Sequence, residues 1–211
     1  MSVLSSLKIG IVGAGIGGLT AAIALQQRGM QVVIYEQSEK LAEVGAGLTI
    51  SKNAARVFEA LGLGSQLAAL DSPCPHMGVI DHLSGDILMY DPRDQEETLS
   101  TNVIASRQVH RADLHKLLAE SLISEGSCLR LDHRLQKITQ DTSQVKLSFT
   151  NGNIDYCDIV IGADGLKSAV RELLYSSEPA NFTGFVAWRG LVDRSLIKDI
   201  SLDPHFATYS S

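Results

Sequence analysis

Residues 7–36 read LKIGIVGAGIGGLTAAIALQQRGMQVVIYE, and this stretch decides the fold. The short apolar run 7–12 predicts a buried parallel strand, and the β-branched run 31–35 predicts a second strand. Between them a glycine-rich turn leads into an alanine-rich helix, and Gly29 stands where a helix is expected to stop. The order strand, glycine turn, helix, strand predicts a βαβ unit.

The glycine turn has the spacing GxGxxG over residues 13–18, which is typical of dinucleotide-binding folds. Gly13 permits the tight turn, Gly15 lets a pyrophosphate approach the backbone, and Gly18 lets helix and strand pack closely. The phosphates then lie at the helix N-terminus, where free N–H groups favour anions. Glu36, at the end of the second strand, can accept hydrogen bonds from both ribose hydroxyls and would repel a 2′-phosphate. This favours FAD or NAD over NADP, and the glycine motif alone does not separate FAD from NAD.

The composition limits the function classes. The 211 residues are 45% apolar and 20% charged, which is enough for a sizeable core and unlike a disordered chain. The net charge of −6 argues against a general nucleic-acid binder. Residues 9–27 carry no charge, but the glycines divide them into a strand and a helix, so we expect no membrane span.

The cysteines and histidines show no metal-binding pattern. Cys74, Cys128 and Cys157 form no CxxC motif and no His/Cys pair at ligand spacing, so we expect no disulfide framework and no metal site. Free thiols fit a reducing, cytoplasmic location. His110 and His115 lie five positions apart, off one helical face, and are predicted to be surface residues.

The rest of the chain predicts an α/β pattern with an antiparallel excursion. The predicted helices cover 53–61 and 111–122, with a hairpin of 77–81 and 86–90, a loop over 91–100, and strands over 127–131, 135–139, 145–150, 158–161 and 184–192.

A second motif separates FAD from NAD. Residues 158–171, DIVIGADGLKSAVR, combine a buried strand, a glycine-flanked aspartate and a short helix. This segment resembles the Asp-Gly segment of the FAD-dependent aromatic hydroxylases, the group-A flavoprotein monooxygenases, and especially their salicylate-hydroxylase-like branch. The resemblance implies that Asp164 contacts the cofactor, and it disfavours an NAD-linked dehydrogenase.

Three further segments are similar to the same family. Residues 45–51, GAGLTIS, resemble the loop beside the flavin and imply a cofactor contact at Gly47. Residues 109–118, VHRADLHKLL, resemble the helix whose arginine reaches FAD, which implies Arg111, with Arg107 as a competing candidate. Residues 185–191, FVAWRGL, resemble the first strand of the substrate sheet. Arg189 there matches an arginine that orients a phenolate, although a structural arginine on a sheet edge fits equally well.

The resemblance implies a Rossmann-type FAD-binding domain (1–75 and 102–176) with an inserted antiparallel β-sheet for substrate (76–101 and 177–211). The implied reaction hydroxylates an aromatic or phenolic molecule with NAD(P)H and O₂, and no side-chain nucleophile or metal is implied.

The family's second FAD motif, a Gly-Asp followed by Ala-Ala-His, is absent from these residues. We therefore expect a C-terminally truncated chain, and the alternative function is a catalytically inactive FAD- or ADP-binding module. The substrate, the nicotinamide preference and the oligomeric state stay open.

Overall fold

The fold comes from a computed structural model, which describes residues 7–41, 47–71, 76–81, 83–92, 106–122, 129–175, 181–186, 194–197 and 208–210. The chain divides into two compact units. The first comprises Met1–Glu43 with His115–Ala187, and the second comprises Val44–Leu114 with Trp188–Ser211. Both units are discontinuous in sequence, and the predicted domain boundaries stay a prediction.

The described elements comprise both helices and strands. The strands are β1 (Lys8–Val12), β2 (Gln31–Tyr35), β3 (Gly47–Ile50), β4 (His76–Asp81), β5 (Ile87–Pro92), β6 (Arg107–His110), β7 (Leu129–Arg130), β8 (Leu135–Gln140), β9 (Val145–Phe149), β10 (Ile154–Cys157), β11 (Ile159–Gly162) and β12 (Thr208–Ser210). The helices are α1 (Ile16–Gln26), α2 (Lys52–Ala60), α3 (Gly64–Ala69), α4 (Arg111–Glu120) and α5 (Ala169–Leu174), with a 3₁₀ turn at Arg194–Ile197.

The first unit contains the predicted βαβ unit within a parallel sheet of order β11-β1-β2-β7. Ile9 of the central strand β1 lies beside Val32 of β2 and beside Ile159 of β11. A second, antiparallel sheet has the order β10-β9-β8. The α/β prediction with an antiparallel excursion is confirmed.

The core of this unit joins the two sheets. Val12 and Tyr35 of the parallel sheet pack with Leu147 and Phe149 of the antiparallel sheet and with Val170 of α5. Side chains alternate along a strand, so the neighbouring residues of β1 point to the opposite face of the parallel sheet. The helix α1 packs on β1 and β2.

A charged network ties the antiparallel sheet to three parallel strands. Asp155 of β10 accepts hydrogen bonds from Tyr35 Oη of β2 at 2.6 Å and from Lys8 Nζ of β1 at 2.6 Å. Arg130 Nη1 of β7 lies 2.8 Å from the same carboxylate. Burial, and then the hydrogen bond to Asp155, raise the pKa of Tyr35 far above its ordinary value, so its hydroxyl stays a donor.

Among the described residues, the second unit holds two small sheets, the helices α2 and α3 and the first residues of α4. β4 and β5 form the predicted hairpin, and β12 adds to β4 in the parallel direction. β3 pairs with β6 in the antiparallel direction, and α2 packs against α3. The side chain of Ser51 caps α2 by accepting a hydrogen bond from the backbone of Ala54.

Two sequence predictions differ from the structure. Residues 184–186, at the start of the predicted strand 184–192, are not in a strand, and 187–192 lie outside the described residues. Asp91 and Pro92 belong to β5 rather than to the predicted loop 91–100, of which 93–100 lie outside the described residues. Within the described part of the chain, every helix is too short to cross a membrane.

Candidate functional site

The glycine turn between β1 and α1 allows close backbone contact at Gly13 and Gly18. Gly13 has a positive φ of +104°, and a Cβ there would lie 2.5 Å from the carbonyl oxygen of Ala163. A Cβ at Gly18 would lie 2.0 Å from the carbonyl oxygen of Gly13. Neither position accepts a side chain without a backbone shift. These two glycines therefore pack the turn against the start of α1 and against the segment before Asp164.

Gly15 is in a different environment. It is the N-cap of α1 with φ −71° and provides no side chain to cap the helix. A Cβ at Gly15 would meet no atom within 4 Å, so open space adjoins the helix N-terminus. The first N–H groups of an α-helix have no partner within the helix. The turn therefore fits a pyrophosphate, which needs both a close approach and free donors.

Ala14, between these glycines, is held by two side chains from other elements. Its N–H donates to Glu36 Oε2 at 2.8 Å. Its carbonyl oxygen lies 2.7 Å from His115 Nε2. The prediction that His115 is a surface residue is wrong, because only 6% of it is exposed. His110 is partly exposed, and its Nδ1 lies 3.5 Å from Asp113 Oδ2.

His115 could have been recognised from helical spacing. It adjoins Leu114 and precedes Leu118 by three positions, and both leucines are fully buried on α4. Residues three positions apart share a helical face, and a buried stripe about 100° wide also includes adjacent positions, so His115 belongs to the stripe of Leu114 and Leu118. Its spacing from His110 gave no indication of this, because His110 lies in β6.

Glu36 follows β2 and joins three backbone segments. Its carboxylate accepts hydrogen bonds from the N–H groups of Ala14 and Ser38, at 2.8 and 2.9 Å. Its own N–H donates to the carbonyl of Arg130, and its carbonyl accepts from His133 N. An ionised carboxylate has about four acceptor positions, so these contacts leave capacity for hydroxyl groups.

Asp164 orders the turn that leads into α5. Its Oδ1 accepts a hydrogen bond from Ser168 Oγ at 2.6 Å, and its Oδ2 accepts from Val170 N at 3.0 Å. The side chain of Ser168 in turn accepts from Arg171 N and caps the helix. A Cβ on Gly13 would lie 2.9 Å from the Cα of Asp164. The structure therefore places the Asp164 backbone against the glycine turn, with the carboxylate engaged in its own loop.

Gly47 and Arg111 lie in or beside the second unit's β3–β6 pair. Gly47 begins β3 and pairs with His110, the residue before Arg111. Arg111 begins α4 and is partly exposed. Arg107 is only 4% exposed, and its Nη1 lies 3.2 Å from Asp71 Oδ2. The geometry therefore favours Arg111 over Arg107 as an arginine that could reach a ligand. Arg189 lies outside the described residues.

Comparisons with known proteins identify the family of this chain. The family described as FAD binding domain matches residues 6–193. The chain is 33% identical over 200 residues to 3-amino-4-hydroxybenzoate 2-monooxygenase of Streptomyces cremeus, covering 94% of this chain and 49% of that protein. It is 36% identical over 210 residues to hispidin-3-hydroxylase of Neonothopanus nambi, covering 95% and 46%.

The fold is also found among solved structures. The structure of Klebsiella pneumoniae HpxO in complex with FAD and uric acid matches with a TM-score of 0.67 and 27% identity, covering 80% of this chain and 41% of that one. A βαβ glycine turn with an acid after the second strand is typical of dinucleotide-binding proteins. With the sequence matches, the chain belongs to the FAD-dependent aromatic hydroxylase family. It spans about half the length of the curated relatives it matches.

Proposed function

We propose that this chain provides the FAD-binding part of a monooxygenase that hydroxylates an aromatic or phenolic small molecule with NAD(P)H and O₂. The observation that carries the proposal is the open space at Gly15, directly before the N-terminus of α1. Family membership and the hydroxylase and monooxygenase names of the relatives support the reaction class.

Each proposed cofactor residue has a role that follows from its chemistry. Backbone N–H groups after Gly15 would bind the pyrophosphate, and Glu36 would accept hydrogen bonds from the ribose hydroxyls. The guanidinium of Arg111 can bind a phosphate or ribose oxygen in bidentate fashion. Gly47 would allow close backbone approach, and Asp164 would hold its turn against the glycine loop. The domain boundaries given above for the FAD-binding and substrate parts belong to the same proposal.

FAD, when bound, supplies the redox chemistry, taking electrons from NAD(P)H and activating O₂. The protein's contribution is to hold the cofactor, exclude water and orient the substrate. We assign the last of these to Arg189, whose positive charge would attract an ionised phenol. A cytoplasmic location, where NAD(P)H is available, completes the proposal, and the buried free thiol of Cys157 is compatible with it.

A second candidate is an FAD- or ADP-binding module without hydroxylase activity of its own. The coverage of about half of each relative favours it for this chain expressed alone. The two candidates share the same cofactor site and differ only in turnover.

Equilibrium binding tests what the two candidates share. We expect the purified chain to bind FAD and ADP, and to bind 2′-phosphorylated ADP much more weakly because Glu36 repels the added phosphate. Isothermal titration calorimetry with the three ligands measures this. A chain that binds NAD⁺ and ADP but not FAD would contradict the proposal and favour a dehydrogenase.

A further inference from the structure

Ala14 has an unusual set of partners for a residue at the start of a helix. Both of its backbone polar groups bond to side chains, the N–H to Glu36 at 2.8 Å and the carbonyl to His115 at 2.7 Å. These side chains come from two separate elements, the end of β2 and the helix α4. Ala14 is itself only 1% exposed. The peptide before Ala14 is therefore fixed by Glu36, and the peptide after it is fixed by His115.

The direction of the hydrogen bond from His115 is fixed by its partner. A carbonyl oxygen can only accept, so Nε2 must carry the proton and donate it. Both the ring and Ala14 are buried, so a carbonyl without this donor would lose its hydrogen bond at a site poorly open to water.

The bond to His115 also determines where the next N–H points. The carbonyl of Ala14 and the N–H of Gly15 belong to one planar trans peptide and point in opposite directions. Because His115 draws the carbonyl toward the protein interior, the Gly15 N–H points away from it. Around Gly15 itself, a Cβ would meet no atom within 4 Å, so the residue that carries this N–H is not enclosed by side chains.

We propose that His115 is a positioning residue for the phosphate-binding turn. Its Nε2–H fixes the Ala14–Gly15 peptide so that the Gly15 N–H is presented to an incoming diphosphate. Glu36 fixes the preceding peptide in the same way. The inference rests on the proposed function, because it assumes that a dinucleotide phosphate binds at this turn.

Three substitutions at His115 test the role in the full chain. Gln places an amide N–H near the position of Nε2, Asn carries the same amide on a shorter side chain, and Leu fills the space without a donor. We expect His115→Leu and His115→Asn to bind ADP about tenfold more weakly than the parent chain. His115→Gln should stay within about threefold of the parent, and adenosine, which lacks phosphate, should bind all four chains similarly.

A purely structural role would give another pattern. If His115 only fills space, Leu would bind ADP as well as the parent, or the three variants would lose ADP and adenosine affinity in parallel with their melting temperatures. Either result overturns the inference while leaving the cofactor proposal intact. A parent chain that binds neither ADP nor FAD overturns the proposed function, and the inference with it.

A measurement on the unsubstituted chain covers variants that fail to fold. With ¹⁵N-labelled histidine, long-range ¹H–¹⁵N correlation spectra identify which ring nitrogen carries the proton. We expect His115 Nε2 to be protonated. An unprotonated Nε2 cannot donate to the Ala14 carbonyl and would overturn the inference.

Discussion

Gly15 and Gly18 belong to one motif, but the structure predicts different consequences of replacing them. A valine at Gly15 fits the observed φ of −71° and meets no protein atom within 4 Å, so the fold should tolerate it. Stability should fall by only about 1 kcal/mol, because valine is a poorer N-cap than glycine. ADP affinity should fall about 100-fold or more, because the side chain occupies the path of the pyrophosphate. Calorimetric titration and urea unfolding measure the two effects.

Gly18→Ala is the matched control for this prediction. Its Cβ would lie 2.0 Å from the carbonyl oxygen of Gly13, so the backbone must shift. We expect a loss of about 1–3 kcal/mol in the free energy of unfolding, with weaker binding as a consequence. A Gly15→Val chain that binds ADP normally would show that the phosphate lies elsewhere.

Glu36 is predicted to act on the ligand and on the turn together. Glu36→Ala removes the acceptor for Ala14 N–H as well as the acceptors for the ribose hydroxyls. We expect FAD and ADP affinity to fall by about 2–3 kcal/mol, because hydrogen bonds to a charged group are lost and water recovers part of them. Glu36→Gln keeps an acceptor for Ala14, so it should lose less. Equal affinities of the alanine variant and the parent would remove Glu36 from the site.

At the scale of elements, Asp155 connects β10 to β1, β2 and β7. Asp155→Asn leaves Lys8 and Arg130 close together without their shared carboxylate. Because Lys8 and Arg130 are partly exposed, we expect a moderate loss of about 1–3 kcal/mol in unfolding free energy. Urea unfolding followed by circular dichroism gives the value. Glu120→Gln removes an equal charge at an exposed ion pair of 3.9 Å and should change stability by less than about 0.5 kcal/mol.

The same carboxylate predicts a pH dependence. Burial of Asp155 favours its neutral form, but hydrogen bonds from Lys8 and Tyr35 outweigh burial and hold its pKa below the ordinary 3.8. A lowered folded-state pKa gives stability that is complete above the unfolded-state pKa and is lost as the pH falls through the folded value. The stability difference between the parent and Asp155→Asn should therefore shrink as the pH is lowered from about 6 toward 3. A stability difference that stays constant over this range would show that the ionisation of Asp155 does not contribute to it.

Local sequence patterns predicted some elements well and others poorly. β1, α1 and β2 were predictable because their apolar runs, glycine turn and helix stop are all local signals. β3 and β6 were not, since each has four residues and is defined by its pairing with the other across a long separation in sequence. Likewise, only tertiary contacts show that Arg107 is paired with Asp71.

For the whole molecule, the sequence predicted the class of cofactor better than it predicted the hydrogen bonds that hold the glycine turn in place. The glycine spacing and Glu36 predicted a dinucleotide site, and the segment around Asp164 predicted FAD; the family match confirms the FAD prediction. The hydrogen bond from His115 to Ala14 could not be predicted, because it joins residues far apart in sequence. The individual ligand contacts of Gly47, Arg111, Asp164 and Arg189 stay predictions.

The last prediction concerns turnover by the 211-residue chain expressed alone. We expect it to bind FAD through the turn at Gly15 and Glu36 but not to couple NAD(P)H oxidation to hydroxylation. The relatives named as monooxygenases or hydroxylases are about twice as long, since the chain covers 49% and 46% of two of them. Productive oxygen transfer requires a site that excludes water. A flavin ring exposed to water would instead release hydrogen peroxide without hydroxylating the substrate. Assays of product and peroxide over a panel of phenols, with FAD and NAD(P)H supplied, measure the partition. Hydroxylated product formed at about 1 per second or faster, with little peroxide, would contradict this expectation and show that these residues alone close a working site.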